Sequence, residues 1–263
     1  MAEAAPQLLE VRGLAKSYGG VHAVVSCDLT VAEGSVVGLI GPNGAGKSTV
    51  IDLISGFQSP DAGTIWFNGR QIQGWPAHRV SDVGLIRSFQ TPREWKALTV
   101  IENVIAAARH EGQDALWRAF FNRGALAAFQ EADLVRARTL LEQFGLTDIR
   151  NERAGNLSGG QKRLLAFAQI AMAGAKVILL DEPLAGINPV MQDHVLAAIQ
   201  MLRDSGCTCL LIEHNLHWIE RACDHIYVMA LGRTIASGTM AQLREDTQVI
   251  DAYLGEVEVA PNV

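Results

Sequence analysis

The sequence lacks any long hydrophobic run. Its most apolar stretches, Val177 to Leu180 and Ala125 to Phe129, are only four and five residues long, whereas a helix that crosses a bilayer needs about 18 to 20 apolar residues. The segment from Met1 to Gln7 also lacks the basic-then-apolar order of a secretory signal peptide. We therefore expect a protein without a transmembrane helix that stays in the cytoplasm.

The sequence also has little cysteine and no excess of positive charge. Its four cysteines form neither a CxxC pair nor the spacing of a zinc site, so we expect buried, unreactive thiols. Lysine and arginine number 22 against 28 aspartates and glutamates, which gives a formal net charge of −6. A nucleic acid is bound through clustered basic residues, so no nucleic-acid partner is predicted.

What the sequence does contain indicates one large α/β domain. Of its 263 residues, 49% are hydrophobic and 19% are charged, which is typical of a chain that buries a substantial core. The first third shows short strand patterns at Leu8 to Val11, Val21 to Val31 and Val36 to Ile40. A helix from Lys47 to Ser55 and a strand from Gly63 to Asn68 follow.

The rest of the chain first becomes helical and then alternates. Thr99-x-x-Glu102 is a capping box that opens a helical stretch reaching about Ala173. Strands then alternate with helices, one of which begins at Asn188-Pro189, and this alternation implies a parallel sheet with right-handed crossovers. We expect a single domain over 7–255, in which 7–91 and 174–255 form the sheet-containing core and 92–173 a helical subdomain. The last helix should end at Gly255, and 256–263 should be a flexible tail.

A glycine-rich loop lies between a predicted strand and a predicted helix. Residues 41–48, GPNGAGKS, match the pattern G-x-x-x-x-G-K-[ST]. Its glycines let backbone N–H groups converge on phosphate oxygens, and the helix N-terminus adds positive potential. Lys47 would reach the β- and γ-phosphates, and Ser48 would ligate Mg²⁺. The loop predicts a nucleoside triphosphate ligand.

A short apolar strand farther along the chain ends in two acids. Val177 to Leu180 is followed by Asp181 and Glu182. Asp181 would hold Mg²⁺ through water, and Glu182 would polarise the attacking water near the γ-phosphate. An acidic pair after a buried strand is weak evidence alone, but it gains weight because the same chain carries the phosphate loop.

The segment Leu157-Ser-Gly-Gly-Gln161 is a second potential anion site. Its glycines expose backbone N–H groups, and Ser158 would cap a helix that continues to Met172. Since the chain already has a complete phosphate loop, a second phosphate-binding helix start is best explained if it serves the nucleotide of another molecule.

With these three motifs in this order, the sequence resembles ATP-binding-cassette (ABC) ATPases over nearly its whole length. The resemblance implies a P-loop NTPase (RecA-like) core, an antiparallel β-subdomain and an inserted α-helical subdomain. It further implies that Tyr18 stacks on adenine with Val24 nearby, that Gln90 touches Mg²⁺ or the attacking water, and that His214 contacts the γ-phosphate. The catalytic residues would then be Lys47, Gln90, Glu182 and His214, and the Mg²⁺ ligands Ser48, Gln90 and Asp181. ATP would be bound by Tyr18, Val24, Gly41, Asn43, Gly44, Gly46, Lys47, Ser48, Thr49, Ser158, Gly160 and Gln161.

The resemblance also implies a machine with several subunits. Two ATPase subunits, identical or homologous, would close head to tail so that each nucleotide lies between the phosphate loop of one and Ser158 to Gly160 of the other. Their motion would pass to membrane permeases through the region after Gln90, where Trp95 lies in the interface region. An external solute-binding protein would take part indirectly. The chain would then be peripheral, on the cytoplasmic face of the cell membrane.

Two positions depart from the family pattern. Asn188 stands where an aspartate is common, and Gln169 stands where an arginine is common. Asn188 can still act as the N-cap before Pro189, so we expect the fold and catalysis to tolerate the change. Communication across the dimer is where an effect is expected.

Within the family, the sequence looks most like the ATPases of branched-chain amino acid uptake systems. This resemblance rests on GLIRSFQTPREWKALTVIENV at 84–104, an extended insertion at about 109–130, DEPLAGINP at 181–189 and VIDAYLGE at 249–256. Lipopolysaccharide-export ATPases share the last segment but lack the long insertion, and importers of urea or short amides stay open. A P-loop kinase or GTPase has no use for the segment at 157–161, and a non-transport ABC protein usually carries two cassettes or a coiled-coil insertion.

Overall fold

The computed structural model describes residues 7–88, 94–109 and 123–254, and for residues 123–130 and 254 only the backbone. Within these ranges the chain forms two compact units. The first contains 7–88, 176–185 and 203–254, and the second contains 94–109, 123–175 and 186–202. The expectations for Gln90, for most of the insertion at 109–130, for Gly255 and for the tail 256–263 lie outside the described residues. The subdomain bounds expected from the sequence stay a prediction.

The first unit is built on one mixed sheet with ten strands in the described part of the chain. From one edge to the other, the strand order is β5-β4-β1-β2-β10-β9-β3-β8-β7-β6. The strands are β1 Gln7–Tyr18, β2 Val21–Ala32, β3 Val36–Ile40, β4 Ala62–Phe67, β5 Arg70–Gln71, β6 Leu85–Ser88, β7 Val177–Asp181, β8 Thr208–Ile212, β9 His225–Ala230 and β10 Arg233–Gly238.

The sheet has an antiparallel part and a parallel part. Strands β1, β2, β4 and β5 pair antiparallel, whereas β9, β3, β8, β7 and β6 pair parallel with one another. Every residue of β3, β7 and β8 is buried, as is typical of parallel strands with both faces covered. The parallel strands expected from the alternating pattern are therefore present, and the loops that follow their carboxyl ends start from one edge of the sheet.

The first strand is longer than the sequence pattern suggested, whereas β2 and β3 lie within one residue of their predicted bounds. We expected the first to cover only Leu8 to Val11, but β1 runs from Gln7 to Tyr18. Its pairing with β2 shifts register between Val11 and Leu14, and Gly13 has a φ of 55° there. The Gly13 N–H donates to Asp28 Oδ1 at 2.8 Å, so a bulge bridges a break that looks like a strand end in the sequence.

Helices complete both units. In the first unit, the helix that begins at Lys47 was predicted from the sequence, whereas the short helix after β5 was not. The helices within the first unit are α1 Lys47–Ile54, α2 Ala77–Asp82, α7 Leu216–Ala222, α8 Met240–Leu243 and α9 Thr247–Leu254. Those of the second unit are α3 Val100–Ile105, α4 Arg123–Gln143, α5 Gly159–Met172 and α6 Pro189–Asp204, of which α6 ends in the first unit. No helix in the described ranges is long and apolar enough to span a bilayer.

Two predicted helix starts are confirmed in the second unit. Thr99 and Glu102 form the expected capping box at the start of α3. At the start of α6, Asn188 Oδ1 accepts a hydrogen bond from the Val190 N–H at 2.9 Å, so Asn188 acts as an N-cap before Pro189. The departure at this position therefore leaves the helix start intact.

The four cysteines are free, and three of them are fully buried. Burial raises the pKa of Cys27 to about 11 and that of Cys207 to about 11. It also raises the pKa of Cys209 and Cys223. Thiols that stay protonated at neutral pH are poor nucleophiles and poor metal ligands, which agrees with the expectation of unreactive cysteines.

Candidate nucleotide site

The phosphate loop connects β3 to α1 in the first unit. Gly41 has a φ of 147°, and a Cβ at this position would lie 2.0 Å from the Met229 carbonyl oxygen. At Gly46, with a φ of 98°, a Cβ would lie 2.4 Å from the Ala23 carbonyl oxygen. Only glycine fits at both ends of the loop, because the backbone of neighbouring strands approaches too closely for any side chain.

Lys47 is folded back into this loop. Its side chain is 6% exposed, and Nζ donates to the carbonyl oxygens of Gly41 at 2.7 Å and Pro42 at 2.8 Å. Asn43 and Gly44 form the exposed part of the loop, and Ser48 is exposed in the first turn of α1. No side chain caps the start of α1, so the helix presents its first N–H groups and a lysine ammonium at one place. This arrangement suits a phosphate chain.

The structure brings Val24 to the loop but leaves Tyr18 at the end of β1. Val24 is buried, and its Cγ2 would lie 3.3 Å from a Cβ at Gly46. Tyr18 is 42% exposed, and the Lys16 ammonium lies 5.5 Å from its ring centroid. An exposed aromatic ring offers a face for a base to stack on. The adenine-binding role of Tyr18 stays a prediction, as does that of half-buried Thr49.

Parallel pairing brings two of the four predicted catalytic side chains together. Glu182 follows β7 and His214 follows β8, and these strands are neighbours in the sheet. His214 Nε2 and Glu182 Oε1 are 2.5 Å apart, with both side chains partly exposed. Glu182 has a φ of 49°, which is rare for a residue other than glycine, and its N–H donates to the Ile212 carbonyl at 2.9 Å. The exposed pair can orient a water molecule or a phosphate oxygen.

Glu213 holds this pair in place, and the sequence analysis missed it. The side chain is 5% exposed, and Oε1 accepts a hydrogen bond from the Leu184 N–H at 2.7 Å. It thereby ties the loop after Glu182 to the loop that carries His214. Burial raises the pKa of Glu213, although backbone hydrogen bonds from Leu184 and His214 lower it. An acid directly after a buried strand was the signal that could have identified it.

Asp181 lies at the end of β7 and is 4% exposed. Its Oδ2 lies 3.2 Å from Nη2 of Arg87 on β6, and Arg87 also pairs with Asp52 on α1. Burial raises the pKa of Asp181, while the Arg87 charge opposes this shift. Within the described residues, Asp181 Oδ1 and Arg87 Nε are buried without a hydrogen-bond partner, and each such atom costs about 1–3 kcal/mol. Neither Arg87 nor Asp52 was identified as a site residue from the sequence.

The remaining predicted nucleotide contacts lie in the second unit. Ser158 caps α5: its Oγ accepts from the Gln161 N–H at 3.3 Å, and Gln161 Oε1 accepts from the Ser158 N–H at 2.9 Å. The predicted cap is therefore confirmed. Ser158 and Gly159 are exposed, whereas Gly160 is buried and a Cβ there would lie 2.7 Å from Met191 Cε. The anion-binding role of this helix start stays a prediction.

The segment with Trp95 is held by a buried asparagine. Asn103 Oδ1 accepts from the Trp95 N–H at 2.9 Å, and Asn103 Nδ2 donates to the Trp95 carbonyl at 3.1 Å. Gln169, the second departure from the family pattern, donates from Nε2 to the Asn103 carbonyl at 3.3 Å. The Trp95 side chain is 51% exposed. Its interface role stays a prediction, and Gln90 lies outside the described residues.

Comparison with protein families agrees with the motifs. The family model for ABC transporters matches residues 24–185. A second model, that of branched-chain amino acid ATP-binding cassette transporters, matches residues 233–259. The first match spans more than half of the chain and includes the phosphate loop, the segment at 157–161 and the acidic pair.

Similar proteins extend over almost the whole chain. The high-affinity branched-chain amino acid transport ATP-binding protein BraF of Pseudomonas aeruginosa is 39% identical over 250 residues, which cover 95% of this chain and 98% of that protein. The corresponding LivG protein of Escherichia coli strain K12 is 37% identical with the same coverage.

Solved structures confirm the expected fold class. A nucleotide-free ATP-binding cassette from an ABC transporter has a TM-score of 0.79 at 31% identity and covers 94% of this chain and 99% of that chain. The ADP conformation of an ATP-binding cassette has a TM-score of 0.80 at 31% identity and covers 95% of this chain and 100% of that chain.

The substitution Glu213→Gln should change how stability depends on pH. Because burial raises the pKa of Glu213, the unfolded chain loses the proton at a lower pH than the native state does. Stability therefore falls as pH rises above the ordinary value of 4.5 toward the higher native value. Glutamine keeps the acceptor for the Leu184 N–H but has no proton to lose.

Urea unfolding between pH 4 and pH 8 tests this expectation. The variant should match the wild type near pH 4 and have the higher free energy of unfolding at pH 7. Glu33→Gln, at an exposed glutamate of the same unit, is the matched control and should leave the pH slope unchanged. Equal slopes for the wild type and Glu213→Gln would contradict the assignment.

Proposed function

Since this chain belongs to the ABC transporter family and is one of its ATPases, we propose that it energises the uptake of branched-chain or related amino acids. The observation that carries this proposal is the 39% identity to BraF over 95% of the chain. The match of residues 233–259 to the branched-chain amino acid cassette model supports it from a separate part of the sequence.

ATP is the nucleotide that the site is proposed to hold. The loop N–H groups and the Lys47 ammonium would neutralise the phosphate charges, and Lys47 is already positioned within the loop by Gly41 and Pro42. Tyr18 offers its exposed ring to adenine. Glu182 would accept the hydrogen bond of the attacking water, and His214, which contacts Glu182, would contact the γ-phosphate.

The residues fit Mg²⁺ as the metal that accompanies ATP. Ser48 supplies an exposed hydroxyl, and Asp181 supplies a buried carboxylate oxygen without a partner in the described residues. These hard oxygen donors suit Mg²⁺, which usually keeps several waters and binds substrate phosphates as well. When bound, Mg²⁺ would neutralise the charge that develops on the β- and γ-phosphates.

Cassettes of this family work as dimers with membrane permeases. For this chain the proposed dimer partner is a second copy or a homologous cassette. Its Ser158 and Gly160 would face the nucleotide held by the phosphate loop of the first copy. Ser158 supports this role because it is an exposed N-cap, and the N–H groups in the first turn of a helix have no acceptor within the helix.

The proposed cycle uses ATP as the link between two ATPase subunits. Binding would draw the phosphate loop and the opposite helix start together, and hydrolysis would release them. The movement would reach the permeases through the region after Gln90, and an external solute-binding protein would deliver the cargo. In this arrangement the chain lies on the cytoplasmic face of the cell membrane.

Glu182→Gln should abolish most turnover while preserving ATP binding. The amide keeps the size and the backbone of Glu182 but cannot act as a base, so kcat should fall roughly 100-fold or more. Phosphate release and ATP titration measure the two effects separately, and Glu245→Gln, an exposed acid of the same unit, serves as the control. Unchanged turnover would remove Glu182 from the catalytic role.

Ser158→Arg should prevent ATP-driven dimerisation while the monomer still binds nucleotide. The substitution removes the hydroxyl that caps α5, and the long arginine side chain would occupy the space where a phosphate is proposed to approach. Light scattering measures the dimer in proteins that also carry Glu182→Gln, so that bound ATP is not hydrolysed. Thr139→Arg, on the exposed surface of α4, is the control. Normal dimerisation of the Ser158→Arg protein would contradict the composite site.

Recovery of the complex from native membranes tests the transport role. We expect membrane permeases and a second cassette ATPase to co-purify, with ATPase activity stimulated by leucine, isoleucine or valine together with the external binding protein. Stimulation by urea or short amides would contradict the amino acid cargo. Recovery of lipopolysaccharide-export components or ribosomes would overturn the uptake role.

A further inference from the structure

Arg87 lies between two carboxylates of different exposure. Its guanidinium contacts Asp52 and lies 3.2 Å from Asp181. The Arg87 and Asp181 side chains are 16% and 3% exposed, whereas that of Asp52 is 33% exposed. Phe57 covers one side, with its ring centroid 5.5 Å from Arg87 Cζ. One cation thus neutralises a deeply buried acid and an acid nearer to solvent.

The contact with the buried acid is incomplete. An arginine and a carboxylate can form two parallel hydrogen bonds, but here only Nη2 reaches Asp181 Oδ2. Asp181 Oδ1 and Arg87 Nε are both buried without a partner in the described residues. Arg87 therefore satisfies part of the Asp181 carboxylate and leaves one oxygen available to another cation.

The second carboxylate stands close to the predicted metal ligand on α1. Asp52 follows Ser48 by four residues, so both side chains lie on the same face of the helix, one turn apart. The guanidinium that reaches from Asp52 to Asp181 therefore links the helix of one predicted Mg²⁺ ligand to the strand of the other. Because Arg87 already contacts Asp52, a swing of its guanidinium away from Asp181 would release that acid while the contact with Asp52 remains.

We propose that Arg87 is the internal counter-cation of the Mg²⁺ site, pairing with both Asp52 and Asp181 before the metal enters and keeping only the contact with Asp52 afterwards. This inference rests on the proposed ATPase site. Two positive groups beside one carboxylate repel each other, so Arg87 sets how much Mg²⁺ the site requires. Asp52 lowers that requirement because it continues to hold the guanidinium once Asp181 has been released. Arg87 is in this sense a positioning residue, not a metal ligand.

The test measures the Mg²⁺ concentration that half-saturates two signals. The first is the rise in melting temperature when Mg²⁺, or Mn²⁺ as a second probe, is added without nucleotide. The second is the binding of ATP by calorimetry at increasing Mg²⁺. Neither signal depends on turnover. Both are measured on the full chain.

Arg87→Gln should lower the half-saturating Mg²⁺ concentration on the order of tenfold, because a competing unit charge is removed from a partly buried site. Arg87→Lys keeps the charge but loses the fork that spans two acids, so its shift should be smaller. Arg70→Gln removes an exposed arginine of the same unit and should leave the concentration unchanged.

Asp52→Asn should have the opposite effect and raise the half-saturating Mg²⁺ concentration several-fold. This is the order of magnitude expected when one charge is removed at this distance. If Asp52 acts by holding Arg87, Asp52→Asn should have little effect on the half-saturating Mg²⁺ concentration of a protein that already carries Arg87→Gln. An undiminished effect in that protein would mean that Asp52 attracts the metal directly, and it would overturn the role of Asp52 in holding Arg87.

An unchanged or higher Mg²⁺ requirement in Arg87→Gln would overturn the proposal. If the Arg87→Gln protein does not fold, Asp52→Asn still tests the proposal. An unchanged or lower Mg²⁺ requirement in that variant contradicts the displacement of Arg87 from Asp181. Failure of the proposed function is distinguishable: a wild-type chain that binds no ATP with Mg²⁺ would contradict the ATPase site itself. If the wild-type chain binds ATP with Mg²⁺ but the variants have an unchanged half-saturating Mg²⁺ concentration, only the role of Arg87 is contradicted.

Discussion

The parallel pairing of β3, β8, β7 and β6 is the constraint on which the site depends. In this register Leu39 and Asp181 both lie beside Ile212, and Ser88 lies beside Leu180. The four strands therefore end at one edge of the sheet, and the loops that follow them leave from that edge. The phosphate loop, the acidic pair and His214 become neighbours, although more than 130 residues of sequence separate the phosphate loop from the acidic pair. A sheet with buried strands fixes these positions more firmly than loops alone could.

Charges brought to this edge have little water around them. Asp181, Glu213 and Lys47 are all nearly inaccessible, and a buried charge is tolerated only when other groups compensate for it. Lys47 is compensated by loop carbonyls and Glu213 by a backbone N–H. Asp181 has a counter-ion in Arg87, but one of its two oxygens has no partner in the described structure. The same incompleteness that costs stability gives this acid the capacity to bind a cation.

Contiguous motifs were recognised from the sequence, whereas pairs formed by folding were not. The phosphate loop and the helix caps at Thr99 and Ser158 each act within a few residues, so spacing alone predicted them. Arg87 is separated by 35 residues from Asp52 and by 94 from Asp181, and no local pattern connects them. The sheet register that brings them together depends on the whole first unit. In the same way, the bulge at Gly13 hid the true length of β1, because a glycine in a strand resembles a break when its pairing is unknown.

The two departures from the family pattern show why a substitution has to be judged by its contacts. Asn188 keeps the one property that a helix N-cap requires, an oxygen that accepts from the Val190 N–H, and it does so without the charge of an aspartate. Gln169 meets Asn103, whose side chain is fully buried and already bonded to the backbone around Trp95. A neutral amide can join that network by one hydrogen bond, whereas an arginine would bring a charge to a side chain without a counter-ion. The hydrogen bonds between Asn103 and the Trp95 backbone are neutral, so their geometry depends on amide positions, whereas the adjacent Glu94 is held by an ion pair with Lys162 at 3.0 Å.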